Sequence, residues 1–421
     1  MSTSTDDEEG KLDSLVVILP LAVVGFALVA ACWSLLSVAG IHIRQEMELT
    51  GVQFGLLLSL PMAVGALVAI PGGVAAQVFG ARRVMMVCLA GLSLCMMALL
   101  PAPPFTTVWL AGAGLGLAGA YYSAGLQFVT SHAPEHRTGL VLGVFGAGIT
   151  GVGMSYYLVP LILEGFSWSV VPLAYLIMLL LLLALMVLLT SQEPTGGNMA
   201  DGALTPVWVR LSRLRLWQLS GWYGVVAGGF FALALWLPDF MMSQHHFTVE
   251  AGAELARWFV IPGALAQIPG GWLADRYGST SIVTRGLMVC LVALFFLSYP
   301  PMTLVIQGIH GTLDLHYVLP LPVELSLVVV LGVAMGCSMA GLQRQVVVDN
   351  RETIAVAAGV LLVSACSVAF LLPPLFGAAN DWVGVRSAVF MILFLMLSLT
   401  LFLFARTARR DERRRLLHPG I

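Results

Sequence analysis

Twelve stretches of mostly apolar residues run along the 421-residue chain, and this constrains it more than any motif does. Runs of about twenty such residues are what a helix needs to cross ~30 Å of hydrocarbon. The spans read as 15–41, 53–76, 84–100, 108–131, 139–163 and 170–190, then 216–238, 254–274, 281–299, 324–344, 354–378 and 386–405. Only 10% of residues are charged, against ~25% in soluble domains. The fold class expected is an all-α polytopic membrane protein with twelve transmembrane helices in two pseudo-symmetric six-helix bundles. The first span is too long for a signal h-region. It carries no basic n-region or small-residue cleavage site, so it reads as a true crossing.

An internal repeat ties the halves together. Ala66-Leu67-Val68-Ala69-Ile70-Pro71-Gly72-Gly73 returns as Ala264-Leu265-Ala266-Gln267-Ile268-Pro269-Gly270-Gly271, offset by 198 positions. Both copies run on to a glycine, Gly80 and Gly278. Duplicated bundles of this kind are how many secondary transporters are built.

The basic residues give an orientation. With the N-terminus inside, 17 of the 20 Lys and Arg fall on the cytoplasmic side, leaving only Arg44, Arg257 and Arg386 outside. This is a strong positive-inside bias, and it places both termini in the cytoplasm of an inner (plasma) membrane protein. The net charge of −2 hides that asymmetry and implies no nucleic-acid partner. The expected organisation is an acidic cytoplasmic tail (1–14, carrying Asp6-Asp7-Glu8-Glu9 and expected to be disordered), an N-terminal bundle (15–190), a cytoplasmic linker (191–215), a C-terminal bundle (216–405) and a basic cytoplasmic tail (406–421). The linker is marked by Pro194, Gly196, Gly197, Gly202 and Pro206. A second irregular stretch, about 300–322, lies outside and holds His310, Asp314 and His316.

Metal and cofactor chemistry find little footing. The six cysteines fall inside the spans without a CxxC or pairing pattern, as free thiols in apolar surroundings do. His245-His246 reads as a wet surface pair, with no Cys or acidic ligand at metal spacing. No nucleotide-binding motif appears, and no acid–base cluster lies at depth, so neither a cofactor nor an enzyme activity is expected.

Gly271-Trp-Leu-Ala-Asp275-Arg276-Tyr-Gly278 resembles the signature loop of the major facilitator superfamily, found between helices 2 and 3 and again between 8 and 9. The resemblance implies that Asp275 faces the start of a helix in the opposite bundle, here helix 5 near Thr138-Gly139. A carboxylate there is stabilised by unpaired N–H groups and the helix dipole. The first copy keeps Gly73, Gly80, Arg82 and Arg83, but Gln77 replaces the aspartate, so the N-half lock is expected to be weaker.

Within that superfamily, Gly116 to Pro160 is similar to the nitrate/nitrite porter family. Gly143, Gly146, Gly148, Gly151 and Pro160 match its glycine-rich helix 5. That family grips its anion with one arginine from helix 2 and one from helix 8, as a planar oxyanion calls for. Here those positions hold Ala69 and Gln267, Ile149 replaces a signature asparagine, and the helix-11 stretch Val363–Ala369 lacks glycine. The clamp is absent. No charged residue falls near a helix midpoint, which argues against a strongly anionic cargo and a mid-depth proton relay.

What remains is amide, hydroxyl and aromatic chemistry, suited to a neutral, zwitterionic or weakly charged solute, or a small anion bound by dipoles alone. Gln267, Ala69, Trp33, Tyr121, Ile149, Tyr156 and Ser364 are the substrate-pathway candidates. Gln267 leads because a mid-helix amide is costly in lipid without a partner. Trp33 also fits an interfacial belt, and the helix-5 glycines fit close helix packing. Three readings stay open. The first is a nitrate/nitrite-porter-like transporter with a changed substrate, which would act as a monomer or weak oligomer and could be coupled to protons. The second is an exporter of apolar or drug-like compounds, and the third is a non-transporting scaffold or assembly factor on the same fold.

Overall fold

A computed structural model describes residues 3–46, 48–100, 105–190, 209, 211–300, 302–308, 311–317 and 319–417. Ten of its helices are long and apolar enough to cross a membrane. Two further crossings are broken helices, which makes twelve among the described residues. In the first half α1 is Thr3–Trp33, continued past Ser34 by Leu35–Glu46. Next come α2 (Gly51–Phe79), α3 (Ala81–Ala98) and α4, built from Phe105–Gly114, a 3₁₀ turn at Leu115–Leu117, and Ala118–Thr130. The half closes with α5 (Thr138–Gly146 and Thr150–Gly165 about a 3₁₀ turn) and α6 (Val170–Leu189).

The second half repeats the plan with α7 (Leu214–His245), α8 (Val249–Leu265 and Gln267–Tyr277), α9 (Ser279–Leu297), α10 (Leu321–Asp349), α11 (Ile354–Ala378) and α12 (Ala388–Leu417). At the break in α8 the Ala266 carbonyl accepts from the Gly270 amide at 2.9 Å and from the Cys337 thiol at 3.4 Å, and Pro269 just beyond has no N–H to give.

Three expectations need correction. Asp6 to Glu9 lie in the opening turns of α1 rather than in a disordered tail. The outer stretch is an antiparallel hairpin, β1 (Met302–Gly308) and β2 (Gly311–Tyr317), in which Asp314 stands opposite Val305 and His316 opposite Thr303. His310 and most of the linker, 191–208 and 210, lie outside the described residues. His245 is not a wet surface residue either, since its imidazole meets the Glu324 carboxylate of α10 at 2.9 Å. We call the end of the bundles that carries this strand pair the hairpin face. The opposite end, where most arginines gather, is the basic face.

The sequence repeat reappears as two matching elbows. Gly80 (φ 93°, ψ 139°) joins α2 to α3, and Gly278 (φ 84°, ψ 141°) joins α8 to α9, each as a single-residue turn. That backbone region is essentially reserved for glycine. No atom lies within 4 Å of where a Cβ at Gly278 would sit, so the dihedral alone and not crowding selects the residue. Arg82 follows the first elbow; its guanidinium donates to Thr190 Oγ1 at 2.6 Å and to the Met186 and Val187 carbonyls at the end of α6. Arg83 beside it is exposed.

Gly278→Ala and Gly80→Ala are each expected to cost about 1–3 kcal/mol, read as a lowered thermal midpoint in detergent. Gly221→Ala, at an uncrowded helical position of α7, should cost nothing. Equal midpoints for all three would remove the strain argument.

Candidate functional site

The two bundles meet along glycine-lined seams. On the α5–α8 seam, a side chain at Gly139 would strike the Gly271 carbonyl oxygen at 2.5 Å and Asp275 Oδ1 at 2.7 Å. Gly143 and Gly146 press on Gln267 in the same way. Gly148 and Gly151 turn instead toward Phe26 and Ala27 of α1, within their own bundle. On the α2–α11 seam, Gly73 abuts Ala355, and Gly359 sits against the Ala69 carbonyl. Small residues let helices approach this closely where apolar burial gives no drive.

Closing contacts lie at both ends of these seams. On the basic face, Asp275 accepts from the Gly139 and Leu140 amides at 3.0 and 2.9 Å, at the start of α5. Arg344 of α10 backs the carboxylate at 2.5 Å. Gln77 sits at the equivalent place in the first repeat, but its amide donates to the Glu352 carbonyl at 2.8 Å instead of accepting from a helix start. Glu135 and Arg351 add an ion pair between the bundles. Gly271 packs in the seam, while Arg276 lies over the Trp272 and Tyr277 rings of its own bundle.

The hairpin face has its own closures, which the sequence did not announce. Asp381, just beyond α11, accepts from the Gly51 and Val52 amides at 3.3 and 3.2 Å, at the start of α2. Thr50 takes the next amide, Gln53, at 3.2 Å. A carboxylate thus caps a helix of the other bundle on each face. Arg44 of α1 also bonds Asp239 of α7 at 2.6 Å, with the Asp239 side chain only 2% exposed. Neither Asp381 nor Asp239 sits in a recognisable motif, and their partners lie 330 and 195 positions away.

Between the two closures lies a small cavity of about 30 Å³. Phe26, Trp33, Met62, Tyr122, Phe231 and Cys366 are among its walls, drawn from α1, α2, α4, α7 and α11, and none of the lining residues is charged. Trp33 and Phe231 meet edge to face across the bundles, 5.3 Å between centroids. The Tyr122 and Tyr223 hydroxyls share a buried hydrogen bond of 2.9 Å between α4 and α7.

The pathway candidates are spread unevenly about this cavity. Trp33 lines it. Ala69 and Gln267 both face the opposite bundle, 0% and 1% exposed, but from within the seams. The Gln267 amide donates to the Gly146 carbonyl at 3.0 Å. Tyr121 points into its own bundle beside Gly25, and Tyr156 and Ile149 are buried in α5. Ser364 packs on Gly224 of α7 and bonds its own helix at Val360. Tyr122, next to Tyr121 and on the cavity-facing side, is the residue that singling out Tyr121 passed over.

Similarity to known proteins points in one direction. The probable nitrate/nitrite antiporter NarK1 of Thermus thermophilus is 26% identical over 399 residues, covering 91% of this chain and 89% of that protein. The probable nitrate/nitrite transporter NarK2 of Mycobacterium tuberculosis is 28% identical over 297 residues, covering 69% and 74%. Among solved structures, the human organic anion transporter MFSD10 (TETRAN) overlays with a TM-score of 0.70 at 14% identity, covering 93% of this chain and 99% of that one. These relatives are transporters, not enzymes. The family model of the Major Facilitator Superfamily matches residues 21–372, and with that span, twelve crossings and paired elbow loops, the chain belongs to that superfamily.

Proposed function

We propose that the chain is a secondary transporter that moves a small solute by rocking its two bundles about the central cavity, akin to nitrate/nitrite porters but with an altered substrate site. The observation that carries this reading is what Ala69 and Gln267, at corresponding positions of the two repeats, offer. Both are buried and face the opposing bundle, yet neither offers a charge. A planar anion calls for paired donors and a permanent positive charge. The uncharged, aromatic cavity supports a neutral or weakly polar cargo. The charge asymmetry supports an inner-membrane protein with both termini in the cytoplasm, which makes the basic face the cytoplasmic one.

Opening the basic face must break the Asp275 cap, the Gln77 bond and the Glu135–Arg351 pair. Opening the hairpin face must break the Asp381 cap and the Arg44–Asp239 pair. With both sets made at once, in this reading the arrangement is the occluded midpoint of an alternating-access cycle. A second reading, a non-transporting scaffold, draws on the cavity's small volume of about 30 Å³. An exporter of apolar compounds draws on its aromatic walls.

Transport in proteoliposomes separates these readings. A panel of neutral, zwitterionic and anionic solutes, run with and without a proton gradient, is expected to show uptake or efflux of an uncharged or weakly charged member. Movement of nothing on the panel would favour the scaffold. Nitrate titration is expected to show no binding tighter than about 1 mM, and Ala69→Arg combined with Gln267→Arg should raise nitrate affinity. Tight nitrate binding by the unaltered protein would overturn the altered-site reading.

The two caps make opposite predictions. A partly buried carboxylate at a helix start is stabilised by ~1–2 kcal/mol, and a contact can bias an equilibrium only by its differential free energy between states. Asp275→Asn should therefore shift populations roughly five- to thirtyfold toward opening of the basic face. Asp381→Asn should favour opening of the hairpin face, and Gln77→Ala should do much less than either. Spin-label distances between positions 83 and 280 on one face, and 164 and 254 on the other, report the direction. The six native cysteines are buried or half-buried and should label poorly. A shift in the same direction for both aspartate variants would rule out opposed caps.

A further inference from the structure

A groove of about 670 Å³ opens on the basic face, away from the central cavity, between the first turns of α7, the start of α9 and the end of α12. Its rim carries Arg285 and Arg409, and Trp222, Phe404, Leu219 and Met288 are among the apolar residues behind them. Trp222 and Phe404 pack edge to face, 5.0 Å between centroids, as a firm apolar wall. A third arginine, Arg215, is already committed to Asp349 at 3.3 Å and Asp411 at 3.0 Å. Asp411 is the only carboxylate among the described lining residues, and it shares Arg215 with Asp349. Among the described residues neither Arg285 nor Arg409 has an acidic partner, and with Arg215 set against both Asp349 and Asp411 the three arginines and two aspartates leave a surplus of one positive charge.

The surface running from this groove toward mid-membrane completes the description. Met288, Val292 and Phe295 form an exposed apolar column on α9, and Leu395, Leu399 and Phe402 form another on α12. The spacing of four and three residues puts each set on one helix face. The groove also sits where α12 passes from its apolar stretch into the basic run Arg406, Arg409, Arg410.

We propose that this groove binds the phosphate head group of an anionic glycerophospholipid. Arg285 and Arg409 hold the phosphate, and the acyl chains lie along the two apolar columns. Basic pockets between transmembrane helices are suited to such head groups. A zwitterionic lipid brings an ammonium that Arg285 and Arg409 repel. A free phosphate ion satisfies the arginines but leaves the columns unused.

The test uses full-length protein stripped of lipid in neutral detergent, with bound lipid counted by native mass spectrometry and stability followed by thermal unfolding. Phosphatidylglycerol is expected to bind and raise the midpoint, whereas phosphatidylcholine of equal chain length and inorganic phosphate should do neither. An arginine near an anionic head group contributes about fivefold in affinity. Arg285→Gln with Arg409→Gln should therefore weaken phosphatidylglycerol binding roughly thirtyfold. Arg83→Gln, an exposed arginine of the same face outside the groove, should leave binding unchanged. Equal binding of phosphatidylcholine would overturn the recognition of charge. Equal stabilisation by inorganic phosphate would reduce the groove to a small-anion site, and full phosphatidylglycerol binding by the double variant would remove the groove as its location.

Discussion

A carboxylate seated on the first amides of a helix from the other bundle is the contact on which the closed arrangement depends. It occurs twice, with Asp275 on α5 and Asp381 on α2, at opposite ends of the molecule. The unpaired N–H groups of a helix start offer directed donors and a positive dipole end, and they can be reached only if the backbones are almost touching. The glycines meet that condition. At Gly139 even a methyl group would occupy the space of the Asp275 carboxylate. The capping bonds and the small-residue seams are therefore one device, since neither is possible without the other.

The two repeats have diverged in how they use it. Asp275 receives two amides and is also backed by Arg344, so its negative charge is fully matched. Gln77 reverses the polarity of the equivalent contact, donating to a carbonyl, and its Oε1 is buried without a partner. An amide dipole can exchange this bond for a similar one elsewhere more readily than a charged group can. The basic face is thus held mainly along α5 and α8. The hairpin face is held along α2 and α11, with the Arg44–Asp239 pair between α1 and α7.

Much of this was legible in the sequence, and the gaps have physical causes. Apolar run lengths gave the crossings because each must satisfy its backbone within itself. The offset of 198 located both elbows, and the loop motif located Asp275. Asp381 and Asp239 stayed hidden because a pairing across hundreds of residues leaves no local spacing to read. Tyr121 was singled out where Tyr122 faces the cavity, since neighbouring residues on a helix point about 100° apart and an apolar helix gives no pattern to fix its phase. Gln267 reads in the sequence as a polar residue at depth; the structure buries it and sets its amide on the Gly146 carbonyl. The hairpin was missed because short strands joined at glycine, between two prolines, look like any loop.

The single-residue elbows have a mechanical consequence. A connection as short as Gly278 stores no slack, so a tilt of α8 cannot be absorbed before it reaches α9. The two helices behave as the arms of one bell crank, with Asp275 near its pivot. Tyr277 and Gly278, at that pivot, also border the arginine-rimmed groove. A displacement of α9 is therefore passed through one residue to the helix end that carries Asp275, three positions before the elbow.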